Sequence, residues 1–449
     1  MNKKEKIRMA FVIEKKLKNV MTFYYLMKLD KKIPTDRAFI RKRQGKKVHE
    51  LMERAYKIPF YRKRFDENHL TPDDFHTPED LVKFPVTTRA DLRLWMQEEY
   101  EKNPKKRKSW TILSTSGSSG VPLKFIQTQR ESACVDANWI RVLMYAGYHP
   151  LRGKLFSFVT SHKKIDPKKG DSIIQKFGFM RRKVVSEDNC VGDGIRDIIK
   201  DLNEYKPDVL CFRRNCLVRM ALYAKRHNLK IYKPKLYTPV SEMVDDMTRK
   251  ILTESFGDGL FDAYGSSETG SCIIQLPGEE LYYINSDTHV VNIYDEDNRL
   301  TDDGRVIVTT LFKKDFPFIN YEIGDRATSA TLDGVRYIKS IQGRVNDLVK
   351  HENSPETSAL YLMKIPNGIV GIAQFKFIQE SYHDMRILLV KDPNNNAHTK
   401  EEIESFFRKK MAELFNDEFT LHFDWLEVIP PDKNGKMRCF ACEIPDEAH

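Results

Sequence analysis

Between residues 130 and 310 short apolar runs alternate with amphipathic ones, and this alternation restricts the fold more than any other feature of the chain. LFSFVT, DVLCF, LFDAYG and VIVTT read as buried strands. SACVDANWIRVLMYAG, GIRDIIKDLNEY, LVRMALYAKRHN and VDDMTRKILTESFG carry apolar residues at helical spacing. Helices packed on a mainly parallel or mixed sheet follow from that order. With 449 residues the chain exceeds what one core organises, so more than one domain is expected.

The last hundred residues change character. AQFKFIQ and DMRILLVKD predict two strands joined by a polar turn at Glu380 to His383. TKEEIESFFRKKMAELF predicts a helix capped by Thr399 with Glu402 at N3, its apolar face formed by Ile403, Phe406, Phe407, Met411 and Leu414. LHFDWLEVI predicts a further strand. This β-β-α-β order makes a small α+β domain, with a boundary near GRVNDLVK, residues 343 to 350. The expected domains are therefore 1–345 and 346–449. Upstream, Thr77 with Asp80 and Thr88 with Asp91 resemble capping boxes with Asp in place of Glu.

Lys and Arg exceed Asp and Glu by 75 against 64, a net charge of +11. Such a surplus attracts phosphates, nucleic acid or an anionic membrane face. The basic residues are scattered and no RRM, KH or helix-turn-helix signature accompanies them, so nucleic acid is not an expected partner. The seven cysteines show no disulfide framework, and the lone C-x-x-C of Cys439 and Cys442 lacks a second pair at zinc spacing. Reduced thiols and a cytoplasmic location are expected. At the start, Ile13, Leu17, Val20, Tyr24 and Met27 fall at near-helical spacing among lysines. Such a stripe is expected to pack on its own domain, with peripheral membrane contact as the alternative.

Residues 114 to 120, STSGSSG, concentrate hydroxyls and glycines as a phosphate requires: Gly admits backbone N–H groups and Ser and Thr add rotatable donors. The stretch is neither a Walker A loop, since no Lys follows Gly120, nor a G-x-S-x-G elbow. FDAYGSSETG places Glu268 after a strand ending in Tyr264-Gly265, where a carboxylate can hold Mg²⁺ beside a nucleotide. YEIGDR sets Asp325 after a turn glycine, with two oxygens able to accept ribose hydroxyls. GRVND at 343–347 and KNGKMR at 433–438, with Lys436 on a glycine turn, complete the set. Each alone also fits a strand-end turn, a capped loop or an exposed lysine.

In this order and spacing the five stretches resemble the core motifs of the adenylate-forming superfamily, which includes the acyl-CoA synthetases, luciferases and peptide synthetases. IPFYRKRF, PEDLVKFPVTTRADLR, YKPDVL and GKMRCF are similar to the phenylacetate–CoA ligase family and its capsular-polysaccharide branch, and the likeness runs from about residue 50 to 440. The resemblance implies an α/β fold: a large N-terminal domain with mixed β-sheets flanked by helices, and a small mobile α+β C-terminal domain. It implies an AMP-forming acid–thiol ligase that uses ATP and Mg²⁺. A carboxylic acid would be activated to an acyl-adenylate with release of pyrophosphate. The acyl group would then pass to CoA, a carrier-protein thiol, or an amine or hydroxyl of a sugar-type acceptor, in polysaccharide or secondary metabolism. Ser116, Gly117, Ser118, Ser119 and Gly120 would cradle the phosphates. Ser267 would contact the α-phosphate, Glu268 would hold Mg²⁺, Tyr264 and Gly265 would lie by the adenine, and Asp325 and Arg344 by the ribose. Lys436 would reach the reacting carboxylate from a lid that rotates about Asn346. The acid pocket is expected between the helix at 132–147 and the strands ending at Phe212 and Tyr264.

The chain departs from that pattern at three places. Val121 and Asn320 stand where relatives often have a cation, with Lys124 a partial substitute for the first. FRRNCL replaces a neutral turn, so that Arg213 and Arg214 either meet an anionic ligand or lie on the surface. The changes at 121 and 320 leave open a second class of function, a catalytically impaired nucleotide-binding relative.

Overall fold

The computed structural model describes residues 18–114, 123–159, 181–190, 192–240, 242, 244–344, 348–352, 354, 356–359, 361–362, 365–393, 395–416, 418–430, 432 and 438–445. The chain divides into two compact units, Met1–Gly147 with Ala263–Gln342 and Tyr148–Asp262 with Gly343–His449. The expected domain boundary falls at 345–347, outside the described residues.

The first unit opens with helices at 18–28, Arg37–Ala55 and Pro59–Glu67. Thr77 and Thr88 both form the expected capping boxes, the first opening a 3₁₀ turn over Pro78–Lys83 and the second the helix Arg89–Lys102. β1 (Trp110–Ser114) and β2 (Lys124–Thr128) pair antiparallel, Ser114 opposite Lys124, so they bracket the hydroxyl-rich stretch. Thr128 then caps the helix Gln129–Tyr145.

The chain passes into the second unit with the alternation that the sequence announced. β3 (Lys154–Val159), β4 (Arg181–Ser186), β5 (Val209–Arg213) and β6 (Leu236–Val240) form an all-parallel sheet in the order β4-β3-β5-β6. The helices Gly194–Tyr205, Arg214–Arg226 and Asp246–Phe256 cover it. Ile195, Ile198, Ile199 and Leu202 lie on one helical face and bury it against Phe156, Leu210 and Phe212.

Back in the first unit, β7 (Asp262–Ser266), β8 (Gly270–Gln275), β9 (Tyr282–Ile284), β10 (His289–Tyr294), β11 (Asp303–Thr310), β12 (Tyr321–Leu332) and β13 (Val335–Arg344) make one sheet in the order β10-β11-β12-β13-β9-β8-β7. Asp333 and Gly334 join β12 to β13 with φ of +50° and +73°, the two left-handed positions of a tight hairpin turn. Val291, Ile293, Val306 and Val308 pack with Leu51, Phe65, Leu92 and Trp95 in the core of this unit.

The chain ends in the second unit. β14 (Leu348–Val349) and β15 (Thr357–Ser358) form a short ladder. β16 (Ile372–Gln379), β17 (Asp384–Lys391), β18 (Thr420–Trp425) and β19 (Phe440–Cys442) form a sheet in the order β18-β17-β16-β19. The expected β-β-α-β order is present, with β19 added. Thr399 and Glu402 cap the helix Lys400–Phe415 as predicted. Its buried face is Ile403, Phe407, Met411 and Phe415, while Leu414, expected on that face, is exposed. Spacing of four holds the stripe on 415 rather than 414. Within this unit Ala373, Val390 and Ile429 join the core of the parallel sheet, and Arg219 donates to the Ile429 carbonyl at 2.9 Å.

Candidate nucleotide-activation site

The site builds outward from the turn between β7 and β8. Ser267, Glu268 and Thr269 form that turn. A Cβ on Gly265 would lie 2.0 Å from the Gly270 carbonyl oxygen, and Gly270 has φ +77°, so both positions require glycine. The Ser266 and Thr269 hydroxyls lie 3.0 Å apart across the turn, and the Thr269 N–H donates to Ser266 Oγ at 3.2 Å. Behind it, His289 Nε2 lies 2.8 Å from the Thr269 carbonyl. A carbonyl only accepts, so Nε2 carries the proton and Nδ1 accepts from Thr288 Oγ1 at 2.9 Å. Burial pushes the His289 pKa down to about 4, which keeps the ring neutral.

This scaffold turns Glu268 inward, where it is 1% exposed. Tyr321, at the start of β12, donates its hydroxyl to Glu268 Oε1 at 3.0 Å, and Arg89 Nη2 stands 3.7 Å from the same oxygen. Burial, followed by the Glu268 charge, raises the Tyr321 pKa and holds the phenol as a donor. Four residues further along β12, Asp325 accepts through Oδ2 from the Tyr264 hydroxyl at 2.6 Å. Burial, followed by the Asp325 charge, raises the Tyr264 pKa well above its ordinary value.

These two tyrosine–carboxylate pairs define the shape of the sheet. β7 and β12 are four strand spacings apart in the hydrogen-bonded order, about 19 Å in a flat sheet at about 4.8 Å per strand. Hydrogen bonds of 2.6 and 3.0 Å between side chains at their ends require the sheet to curl until β7 faces β12. The curl brings Glu268 and Asp325, 57 positions apart in sequence, into one concave site.

A second cation is buried in the same unit. Lys313 is fully buried, and among the described residues its Nζ has no hydrogen-bond partner. It sits 5.2 Å from the Phe125 ring centroid and 4.8 Å from that of Phe318. Phe125 is in β2, the strand that leaves the hydroxyl-rich stretch. Desolvation lowers the Lys313 pKa to about 8, partly opposed by the fields of Glu131 and Glu268. Glu131 accepts from the Asp315 and Phe316 N–H groups at 3.1 and 2.9 Å, which pins the segment carrying the lysine.

The remaining anticipated residues divide. Tyr264, Gly265, Ser267, Glu268 and Asp325 come together at the curled strands. Arg344 ends β13, and nothing beyond its backbone is described. Ser116, Gly117, Ser118, Ser119, Gly120, Val121, Asn346 and Lys436 lie outside the described residues. Lys124 is exposed at the start of β2. Asp325 already accepts from Tyr264, so its two oxygens are not both reserved for ribose hydroxyls.

Asn320 has a structural duty in place of an absent cation. Its φ is +47°, its Nδ2 donates to the Leu81 and Phe84 carbonyls at 2.6 and 2.7 Å, and it is fully buried. Arg213 and Arg214 neither lie on the surface nor await a ligand charge. Both are buried in the second unit, Arg213 2.6 Å from Glu187 and Arg214 2.9 Å from Asp245 and 3.4 Å from Glu242. Protein carboxylates answer both guanidiniums, which corrects both expectations. The helix Gln129–Tyr145 directs Arg141 into a buried network with Asp287 at 2.7 Å and Asn138 at 2.6 Å, which fills that face with protein contacts. A cavity of about 270 Å³ in this unit, lined by Arg37, Gln44, Tyr283 and Tyr337, includes neither Glu268 nor Asp325.

Arg89, Tyr321 and Lys313 are the residues that sequence reasoning missed. Arg89 lay in a helix start, Tyr321 inside the YEIGDR stretch and Lys313 in an unremarked loop. Only the three-dimensional convergence on Glu268 distinguishes them. Among the described residues no three His, Cys, Asp or Glu converge as metal ligands. Both Glu268 contacts use Oε1, so a Mg²⁺ ion held by a single carboxylate and completed by water and phosphate oxygens fits the donor set.

The chain is similar to known proteins in both sequence and fold. Residues 353–442 match the CapK C-terminal domain family. The chain is 23% identical to Protein CapK of Staphylococcus aureus over 401 residues, covering 84% of each chain. It is 25% identical to the phenylacetate–coenzyme A ligase of Pseudomonas putida over 345 residues, covering 69% of this chain and 72% of the relative. In structure it superposes on 2-hydroxyisobutyryl-CoA ligase, in the postadenylation state with R3-HIB-AMP, with a TM-score of 0.70 at 15% identity over 91% and 90% of the two chains. The fold is that of the adenylate-forming CoA ligases. In sequence the chain is similar to Protein CapK and to the phenylacetate–CoA ligases, and its C-terminal residues match the CapK C-terminal domain.

Proposed function

We propose that the protein activates a carboxylic acid with ATP and then transfers the acyl group to an acceptor, CoA in the simplest case. The observation that supports this most is the curl that sets the Tyr321–Glu268 and Tyr264–Asp325 pairs side by side on a fold whose relatives include phenylacetate–CoA ligases. In the first step a substrate carboxylate oxygen attacks the α-phosphorus of ATP. The bond to the bridging oxygen breaks and pyrophosphate leaves. In the second step a thiol sulfur attacks the acyl carbonyl, its proton is released and AMP departs.

The roles follow from charge. Asp325, oriented by the Tyr264 phenol, accepts from the ribose. Glu268, beside Arg89 and directed by Tyr321, is the residue that would hold Mg²⁺. When bound, that ion neutralises phosphate charge as it spreads in the transition state. Ser116, Gly117, Ser118, Ser119 and Gly120 donate to the phosphates, and Ser267 to the α-phosphate. Lys436 supplies a cation to the reacting oxygens, with residues 346–449 acting as a lid.

The test is carboxylate-dependent pyrophosphate release from Mg·ATP with hydroxylamine as a trap, across aryl, short aliphatic, hydroxy and dicarboxylic acids, with and without CoA. Release with one acid class, lost in Lys436→Ala, supports the reading. ATP binding without release for any acid favours the impaired relative, and absence of ATP binding overturns the site.

A further inference from the structure

We propose that the outward face of the N-terminal helix docks this protein on an anionic lipid surface. The helix at 18–28 has two different sides. At 100° per residue, Met21, Thr22, Tyr25, Leu26 and Leu29 fall on one half of the wheel, and Val20, Phe23, Tyr24 and Met27 fall within a stripe on the other. The first half is turned to the protein. Thr22 is buried, the Arg130 Nε donates to Tyr25 Oη at 2.7 Å, and Lys18 pairs with Asp136 at 2.7 Å. Past its end, the Asp30 N–H donates to Asp287 Oδ2 at 3.1 Å and its carbonyl accepts from Tyr145 Oη at 3.1 Å. The helix is therefore fixed in orientation and cannot roll to bury its other side.

That other side is apolar and open. Val20 is 66% exposed, Phe23 52%, Tyr24 51% and Met27 59%. Single exposed apolar residues are ordinary, but four at i, i+3, i+4 and i+7 form a continuous stripe. The expectation that it packs on its own domain does not hold for these residues.

Charge decides the occupant. Lys28 sits 4.3 Å over the Tyr24 ring, and Lys31 and Lys32 are exposed just beyond the helix. In sequence, the seventeen residues before the helix add Lys3, Lys4, Lys6, Arg8, Lys15 and Lys16 against Glu5 and Glu14. The whole chain carries +11. A second copy of this face would bring like charges together, whereas an anionic bilayer accepts apolar side chains at the acyl boundary and lysines at the headgroups. No described helix is long and apolar enough to cross a membrane.

The experiment is co-sedimentation of the full chain with phosphatidylcholine vesicles, with and without phosphatidylglycerol. Binding is expected only where phosphatidylglycerol is present, weakening as salt rises. The triple variant Val20→Ser, Phe23→Ser, Met27→Ser is expected to bind about tenfold more weakly or worse with an unchanged melting temperature, since all three residues are more than half exposed. In Tyr24→Trp, indole emission is expected to shift to the blue on adding the anionic vesicles. Absence of binding, or equal binding by the triple variant, overturns the proposal. So does a self-associating wild type that the triple variant turns monomeric, which would make the face a contact between copies.

Discussion

The Tyr264 hydroxyl donates to Asp325 Oδ2 at 2.6 Å, joining two strands that lie four places apart in the sheet order. The bond fixes the carboxylate that is assigned to the ribose while leaving the chemistry to residues elsewhere. Tyr264→Phe keeps the ring and removes only the donor. A hydrogen bond to a charged group contributes about 1.5–3 kcal/mol, so the dissociation constant of ATP is expected to rise roughly tenfold or more, with kcat at saturating ATP changed much less. Calorimetric titration with ATP beside steady-state kinetics checks this. A fall in kcat at unchanged affinity would move Asp325 from binding to catalysis.

Lys313 sets stability against function. A fully buried ammonium without a hydrogen-bond partner is costly, and its pKa near 8 against an ordinary 10.5 means that the cost is fully present at neutral pH. Lys313→Met conserves the stem and removes the charge. The variant is expected to be more stable at pH 7 by about 1–3 kcal/mol in urea denaturation. It is expected to lose pyrophosphate release by about tenfold or more, on the proposal that a cation within the field of Glu268 assists the phosphates. Greater stability with full activity would leave the lysine without that role.

His289 links the turn that carries Glu268 to acid. Its folded pKa of about 4 lies below the ordinary 6.5, so the unfolded chain takes up the proton first as pH falls. Stability from this group is complete above pH 6.5 and declines down to about pH 4. The window spans about 2.5 units, or about 3 kcal/mol at about 1.36 kcal/mol per unit. His289→Gln is expected to flatten the stability profile across that range by a comparable amount. Urea midpoints measured at about pH 7 and about pH 4.5 in both proteins decide it.

In the parallel sheet of the second unit β3 and β5 were legible as short apolar runs, and the helices Gly194–Tyr205 and Arg214–Arg226 by their apolar faces, as in Ile195–Leu202, whereas β4, which opens Arg181-Arg182-Lys183, was not. The C-terminal β-β-α-β order was legible for the same reason. The seven-stranded sheet was mostly not. β12 alternates one-sidedly, Tyr321 and Ile323 inward and Glu322 outward, and β9 spans only three residues. The Asp333-Gly334 pair does signal a hairpin, but it cannot report that the sheet curls. For the site, Glu268 and Asp325 were found by motif. Arg89 and Lys313 were not, because what marks them is burial beside a carboxylate or between two rings, and neither is written in local sequence.

Asn320 shows why restoring a relative's residue need not restore its function. Relatives of the resembling family often carry Arg there, which suggests Asn320→Arg as a gain of a cation. The structure argues the reverse. Position 320 holds φ +47°, which Asn tolerates better than Arg, and the Asn amide donates to the Leu81 and Phe84 carbonyls. Arginine would lose both bonds and would need room for a longer chain at a fully buried position. The variant is expected to lose about 2–4 kcal/mol of stability by urea denaturation without gaining pyrophosphate release. Arg89, already 3.7 Å from Glu268, supplies a cation on that side of the site. Arg89→Ala, measured beside it, is therefore expected to reduce activity where Asn320→Arg fails to raise it. A stable Asn320→Arg variant with faster adenylation would instead show that the site lacks a charge there.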